Sequence, residues 1–381
     1  MEFVSLTWLG WMWGTVALYW LAPKYLRLYL LALLSLLFLA SVSWQSALLL
    51  SVFTLVSHVA GRRPVVTQKS LVLAVVFFVI TLVGFKLGIT NDSDTFLQTT
   101  LIPLGLSYYT FRCIHFLMER FSGRQPVCRF GELVAYLFFL PTIPVGPIHR
   151  IDDFLRDMKR QRFDTSMLSD GAERILYGYV KIVVLSNFLV ERVFGEWIWE
   201  LPSQDGALVS YLTIVKNGLN IYLQFSGHSD IAIGLARLLG FRIIENFNWP
   251  YLQANISAFW RSWHISLSGW CRDYIYEPVV STTRNPVLGA LATMIVIGLW
   301  HEISLRYLVW GAYHGMGIVA WQYWQGFKHH LPAFPDRFSP VTQIISVGLT
   351  VHFVWFGFEI INADSLQHAF ETYVLILIWW V

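Results

Sequence analysis

Residues 3–23, between Glu2 and Lys24, form a run of 21 amino acids without one charged side chain. As a helix rising 1.5 Å per residue, such a run crosses a bilayer core of about 30 Å. Further apolar runs follow, and only 13% of the 381 residues are charged while 56% are hydrophobic. A soluble domain carries about 25% charged residues, so this chain has too little charge to solvate the surfaces of a soluble enzyme. A disordered chain is excluded as well, because disorder requires low hydrophobicity. Cys113, Cys128 and Cys271 are odd in number and lack paired spacing, which argues against a disulfide framework or a zinc cluster. The net charge of +3 offers no argument for a nucleic-acid partner, and none is expected. The composition defines an all-α polytopic membrane protein.

A cleaved signal peptide would begin with positive charge and end in a small-residue cleavage site. Here the only early charge is Glu2, the cations come after the run, and Trp8, Trp11, Trp13 and Trp20 supply interfacial aromatics. The segment reads as a retained span with the N-terminus outside.

Lys and Arg clusters mark the cytoplasmic face. Lys24 and Arg27 form the first cluster, and Arg62, Arg63 and Lys69 form the second. The uncharged stretch Leu28 to Ala60 between them should go out and return as a tight hairpin near Ser43 to Gln45, with short halves. Leu71 to Ile89 leads outward to the acidic stretch Asn91 to Asp94, and Phe96 to Met118 returns to Arg120, Arg124 and Arg129. Leu133 to Ile148 lies between two basic regions and contains Pro141, Pro144, Gly146 and Pro147, so a re-entrant segment fits better than a crossing. The second basic region runs from His149 and Arg150 to Arg162.

Ile175 to Val193 then goes out to the acidic residues Glu196, Glu200 and Asp205, and Ala207 to Phe225 comes back. Ile243 to Pro286 is mixed and aromatic. Val287 to Trp300, Leu305 to Trp324 and Val341 to Ile361 are apolar, and Tyr373 to Val381 is too short to cross alone. The expectation is about 10 to 12 helical segments, re-entrant and amphipathic ones included. They would form one embedded domain over residues 1–381, with N-terminal helices in 1–100, the motif region in 101–325 and C-terminal helices in 326–381.

Polar residues inside such runs are costly and therefore informative. Ser107, Tyr108, Tyr109 and Thr110, followed by Arg112 and His115, either bond between helices or serve a site. The stretch from Tyr222 holds Ser226, His228 and Asp230, and continues to Asn246 and Asn248. A catalytic triad is rejected there, because residues two apart do not share a helix face and the final Gly of a nucleophile elbow is missing. Substrate contact is the alternative. In Phe259 to Tyr274, helical spacing places Trp260, Trp263, His264, Leu267, Trp270, Cys271 and Tyr274 in a stripe of about 120°, with Arg261 on another side. His301-Glu302 opens like a zinc-protease motif, but the fifth position is Leu305, so no metal site is expected. What remains is an imidazole at the end of an apolar run beside Trp300. Desolvation there would favour the neutral form that a general base needs.

Taken in order, several segments resemble the membrane-bound O-acyltransferase family, in particular its bacterial branch. They are Pro103 to Phe111, Gly146-Pro147-Ile148 with Arg150, Phe225 to Phe241, Glu245 to Tyr251, Phe259 to Leu267, Arg272 to Tyr274, Gly298 to His301 and Trp310 to Gly315. The first 100 residues add only hydropathy. The resemblance implies tilted helices around a central tunnel that joins the two membrane faces. It also implies catalytic roles for His301 and for His264, the latter on the cytoplasmic side of that tunnel. Trp260, Trp263, Arg261, Ser226, Asp230, Asn246, Asn248, Trp300 and Glu302 would contact substrate. Most relatives carry a small residue where this chain has Glu302.

The implied activity is transfer of an acyl group, acetyl first among them, from a cytoplasmic thioester to a hydroxyl of an envelope polysaccharide or partner protein. No permanently bound cofactor is expected. Acetyl-CoA or an acyl-carrier thioester would be the donor, D-alanyl transfer from a carrier protein is the alternative, and an extracytoplasmic acetyltransferase is a candidate partner. The location would be the bacterial plasma membrane. A transporter would spread polar residues over several spans or show inverted repeats. Here they cluster in one half and no repeat is visible.

Overall fold

A computed structural model describes residues 6–91, 105–125, 127–143, 145–160, 163–202, 206–328, 330 and 339–378. Asp92 to Asp94 of the acidic stretch, the first residues of the Phe96–Met118 run with Pro103, then Pro144, Arg162, Asp205 and the last three residues of Tyr373–Val381 lie outside these. Among the described residues there is no strand and there are fifteen helical stretches. The all-α class is what the chain adopts. There are more segments than the expected ten to twelve, because turns of one to three residues cut several runs. Among the described residues three helices are long and apolar enough to cross a membrane: Trp44–Gly61, Gln68–Leu87 and Pro340–Asn362. Arg27–Val42 and Pro286–His301 are shorter apolar helices.

The chain falls into two compact units, residues 1–179 with 228–245, and residues 180–227 with 246–381. In the first unit the expected hairpin is present, and its turn is a single residue. Arg27–Val42 ends and Trp44–Gly61 begins at Ser43, whose extended backbone lets its hydroxyl accept from Ser46 N at 3.2 Å. Trp44–Gly61 and Gln68–Asn91 both pack on Leu106–Phe121. Phe53 is fully buried there, edge-on to Tyr109 at 5.4 Å and tilted on Phe78 at 4.7 Å.

The proline-rich segment breaks as expected. Phe130–Leu137 is helical, Leu140–Thr142 is a single tight turn, and among the described residues no helix forms again before Ile151–Arg160. Buried broken backbone needs internal hydrogen-bond partners. Buried Arg112 donates from Nη1 to Thr142 Oγ1 at 3.1 Å, Tyr136 donates its hydroxyl to His149 O at 2.9 Å, and Ile151 N donates to His115 Nε2 at 3.2 Å. Arg112 and His115, open between bonding and a site in the sequence, are braces for this segment.

Gly206–Leu238 is one helix of 33 residues, longer than the expected Ala207–Phe225 run. Its residues through Gly227 belong to the second unit and those from His228 to the first. In the first unit it crosses Thr165–Tyr179 at two glycines. A Cβ on Gly171 would lie 2.8 Å from Gly234 O, and one on Gly234 would lie 2.6 Å from Gly171 O, so only glycine permits this approach. In the second unit the Thr165–Tyr179 helix continues as a widened helix, Val180–Phe194.

Candidate active site

All the geometry that follows belongs to the second unit, except where the first is named. Pro286 follows Asn285, whose side chain accepts from Val287 N at 2.9 Å and Leu288 N at 3.3 Å, so the helix Pro286–His301 starts from a strong cap. It ends at His301, since Glu302 turns extended. The chain reverses through Ser304 into Leu305–Lys328, and the two helices pack very closely. A Cβ on Gly298 would lie 2.2 Å from Tyr307 O, and one on Gly311 would lie 2.5 Å from Met294 O. This approach sets the His301 ring at 4.5 Å from Trp300, 5.8 Å from Tyr307 in a stacked arrangement, and 5.8 Å edge-on to Trp310.

The Phe259–Tyr274 stripe is not one helix. Ile256–Ser262 stops, Trp263 is extended, His264 takes left-handed dihedrals (φ 45°, ψ 52°), and Ile265–Cys271 begins afresh. The cause is a second strand of chain. Phe247 bridges Trp263 in antiparallel fashion, Asn248 N donates to Ser262 O at 3.0 Å, and Ile265 N donates to Asn246 O at 2.9 Å. The buried Asn246 side chain completes the clamp by accepting from Ser266 Oγ at 2.7 Å and from Ser266 N at 3.3 Å. Helical periodicity across this break therefore misassigned the faces. Trp260 points to Trp310 and His314, at 5.8 and 5.2 Å. Trp263 stacks on Phe259 at 5.4 Å and meets Phe358 at 5.4 Å.

His264 is buried, edge-on to Phe225 at 4.7 Å, with Trp300 at 6.1 Å on another side and no hydrogen-bond partner for its Nε2 among the described residues. Burial first, and then the positive charge that His301 can carry, hold its pKa well below the ordinary histidine range. His301 itself is exposed. On the bare chain His264 is thus the buried imidazole of the two, and their rings lie 6.1 and 4.5 Å from Trp300.

The remaining predicted residues separate clearly. Arg261 is exposed, with Nη1 donating to Ser257 Oγ at 2.9 Å. Ser226 is buried, and its hydroxyl turns back to Leu223 O at 3.5 Å within its own helix. Asn248 has an exposed side chain and acts through its backbone. Glu302 reaches Arg306 Nη2 at 3.7 Å, and the Arg306 guanidinium also donates to Ala363 O. In the first unit, Asp230 is buried and accepts from Arg174 Nε at 2.7 Å, while Arg174 also pairs with Glu245. Without substrate, Asp230 is engaged in an ion pair beside the Gly171–Gly234 crossing. Asn246 is engaged in the backbone clamp.

Sequence reasoning missed His314, which is fully buried between Trp260, Trp310 at 4.8 Å and Phe353 at 5.6 Å. The i, i+4 spacing of Trp310 and His314 was the available signal, since it puts both on one helix face.

Fold and site together define a polytopic, all-helical membrane protein with a histidine pair set among aromatic rings. The chain belongs to the membrane-bound O-acyltransferase family, whose pattern matches residues 3–367. It is 31% identical over 336 residues to a Pseudomonas aeruginosa protein named probable alginate O-acetylase AlgI, covering 82% of this chain and 61% of that one. A protein of the same name from Pseudomonas fluorescens is 31% identical over 379 residues, 94% of this chain and 72% of that one. The teichoic acid D-alanyltransferase of Bacillus subtilis is 27% identical over 284 residues, 70% of each chain. The chain thus spans between about three fifths and three quarters of these relatives.

Proposed function

We propose that this protein is an O-acyltransferase of a bacterial plasma membrane. It moves an acyl group, acetyl in the first instance, from a cytoplasmic thioester through a tunnel to a hydroxyl of an envelope polysaccharide or partner protein. The observation that carries this reading is His301, exposed at the end of an apolar helix and backed by Trp300, Tyr307 and Trp310, in a chain of this family. The likeness to alginate O-acetylases favours acetyl-CoA as donor, with an extracytoplasmic acetyltransferase as a fitting partner. The more distant likeness to D-alanyltransferases keeps a D-alanyl carrier protein as the second reading.

Neutral His301 accepts the acceptor's hydroxyl proton while the oxygen attacks the thioester carbonyl. The new C–O bond forms, the C–S bond breaks, and the imidazolium returns its proton to the departing thiolate. General base catalysis of this kind contributes about 10²–10⁴-fold. His264, 6.1 Å from Trp300, is kept neutral first by burial and then by the charge that His301 can carry. Exposed Arg261 offers a cation to the donor's phosphates.

The test is transfer of a labelled acyl group to envelope material by purified protein, with acetyl-CoA and a D-alanyl carrier as rival donors. His301→Ala and His301→Gln should abolish transfer while the protein stays folded and membrane-inserted. Wild-type turnover by a folded His301→Ala variant would remove the assignment.

A further inference from the structure

Away from the histidines, the first unit carries two surface clefts, of about 600 and 490 Å³, which share Lys24 and Lys159 as lining residues. The larger is also walled by Arg160 and Arg242, and the smaller by Tyr25 and Tyr29. Such volumes lie in the range of small-molecule sites, about 300–1,000 Å³. Lys24, Lys159, Arg160 and Arg242 are all exposed, and none forms a salt bridge among the described residues, although the Asp164 carboxylate feels the Arg242 charge.

The two acids in the larger cleft are already engaged. Asp157 is buried and accepts from the Arg242 backbone N at 2.9 Å, with Arg156 Nε 3.8 Å from its other oxygen. Asp164 accepts from Ser166 N at 2.9 Å and from Ser166 Oγ at 2.7 Å. The larger cleft therefore sets four cations against two carboxylates that are already hydrogen-bonded, which leaves it net positive, and an anion is the ligand that complements it.

The surroundings say which anion. Lys24 sits in the turn between the apolar helices Leu6–Leu21 and Arg27–Val42, with Leu21 and Tyr25 81% and 75% exposed on either side. Apolar helix ends flanked by exposed aromatics and cations lie at the membrane–water boundary, where lipid phosphates are found. From the smaller cleft an exposed stripe of Tyr29, Leu33 and Leu37, spaced i, i+4, i+8, runs along one face of Arg27–Val42. Cations at one end of an apolar stripe match an amphiphile, whereas a soluble nucleotide has no use for the stripe.

We propose that this double cleft is a headgroup site for an anionic phospholipid. Lys24, Lys159, Arg160 and Arg242 take its phosphate, and Tyr29, Leu33 and Leu37 carry an acyl chain.

The experiment is lipid retention by the full chain, purified in detergent and observed by native mass spectrometry. Phosphatidylglycerol and phosphatidylcholine with identical acyl chains are the probes. Wild type should retain phosphatidylglycerol at least about tenfold better, as expected when several cations face one headgroup. The Lys24→Gln/Lys159→Gln/Arg242→Gln variant should lose that preference, with Lys24→Arg retaining it. Unchanged thermal melting without added lipid would show the triple variant to be folded, and Lys24→Gln alone should weaken retention in the same direction if the triple variant is not. Equal retention of the two lipids by wild type, or an undiminished preference in a folded triple variant, overturns the site. Displacement of phosphatidylglycerol by coenzyme A overturns the lipid assignment in favour of a soluble phosphate ligand. No acyl transfer is measured, so this outcome is separate from that of the proposed function.

Discussion

Asn246 Oδ1 accepts the Ser266 hydroxyl at 2.7 Å, and this bond between side chains twenty residues apart fastens the turn in which His264 sits. With Asn246 O accepting from Ile265 N and Phe247 bridging Trp263, it holds His264 in left-handed dihedrals that a residue with a Cβ adopts at a cost. The strain places an imidazole between Phe225 and Trp300, where continued helix would not put it.

Replacing Asn246 by Ala should therefore act on His264 from a distance. It leaves Ser266 N and Oγ buried without their acceptor, a loss of about 1–3 kcal/mol. Ser266→Ala, which keeps the backbone bond, should cost about 1 kcal/mol or less. Thermal unfolding in detergent measures both, and acyl transfer should fall further in Asn246→Ala than in Ser266→Ala. Equal effects of the two variants would show that the clamp does not govern His264.

The depressed pKa of His264 predicts an acid-sensitive fold. Its folded pKa lies below the unfolded value of 6.5, so on acidification the unfolded chain binds the proton first. This contribution is level above about pH 7 and declines below about 6.5, by up to about 1.4 kcal/mol per pH unit. Melting temperatures from pH 5 to 8 should show the decline in wild type, and a shallower one in His264→Asn, whose side chain tolerates left-handed dihedrals. An unchanged slope in that variant would mean that other groups carry the acid sensitivity.

Asp230 and Arg174 should behave as a structural pair. Arg174→Ala leaves a buried carboxylate uncompensated, a loss of about 3–5 kcal/mol, and should reduce the yield of folded protein. Asp230→Asn removes the buried charge and should be milder, with transfer kept in whatever protein folds. Full folding with transfer abolished in Asp230→Asn would support the substrate role expected from sequence instead.

The charge map predicts sidedness. On a background lacking Cys113, Cys128 and Cys271, a cysteine at Arg156 should be closed to a membrane-impermeant reagent in intact cells, and one at Glu196 should be open. Both positions are exposed on the chain, so access reports the side of the membrane rather than burial. Labelling at Arg156 in intact cells would invert the map.

Several features were legible because they depend on neighbours along the chain. The hairpin at Ser43 followed from two basic clusters around an uncharged stretch. The broken segment after Leu137 followed from its prolines, and His301 stood out as an ionisable side chain closing an apolar run. The stripe from Trp260 to Tyr274 failed for a physical reason. Helical periodicity assumes that each backbone group bonds within its own helix, whereas Ser262 O and the Ile265 N–H are claimed by Asn248 and Asn246. The partner of Asp230 was not legible either, since Arg174 lies 56 residues away.

By itself the sequence determined the solvent and the class. Too little charge and too many apolar runs leave a helical membrane protein as the only way to hide the backbone, and the ordered motifs point to one family. Only the tertiary structure decided which histidine is buried and which is open. It did so through a cross-chain clamp at Trp263–His264 and through the close approach of two helices at Gly298 and Gly311. Burial is a property of what packs against a side chain, and neither Phe225 nor Tyr307 is brought to its histidine by any period along the chain.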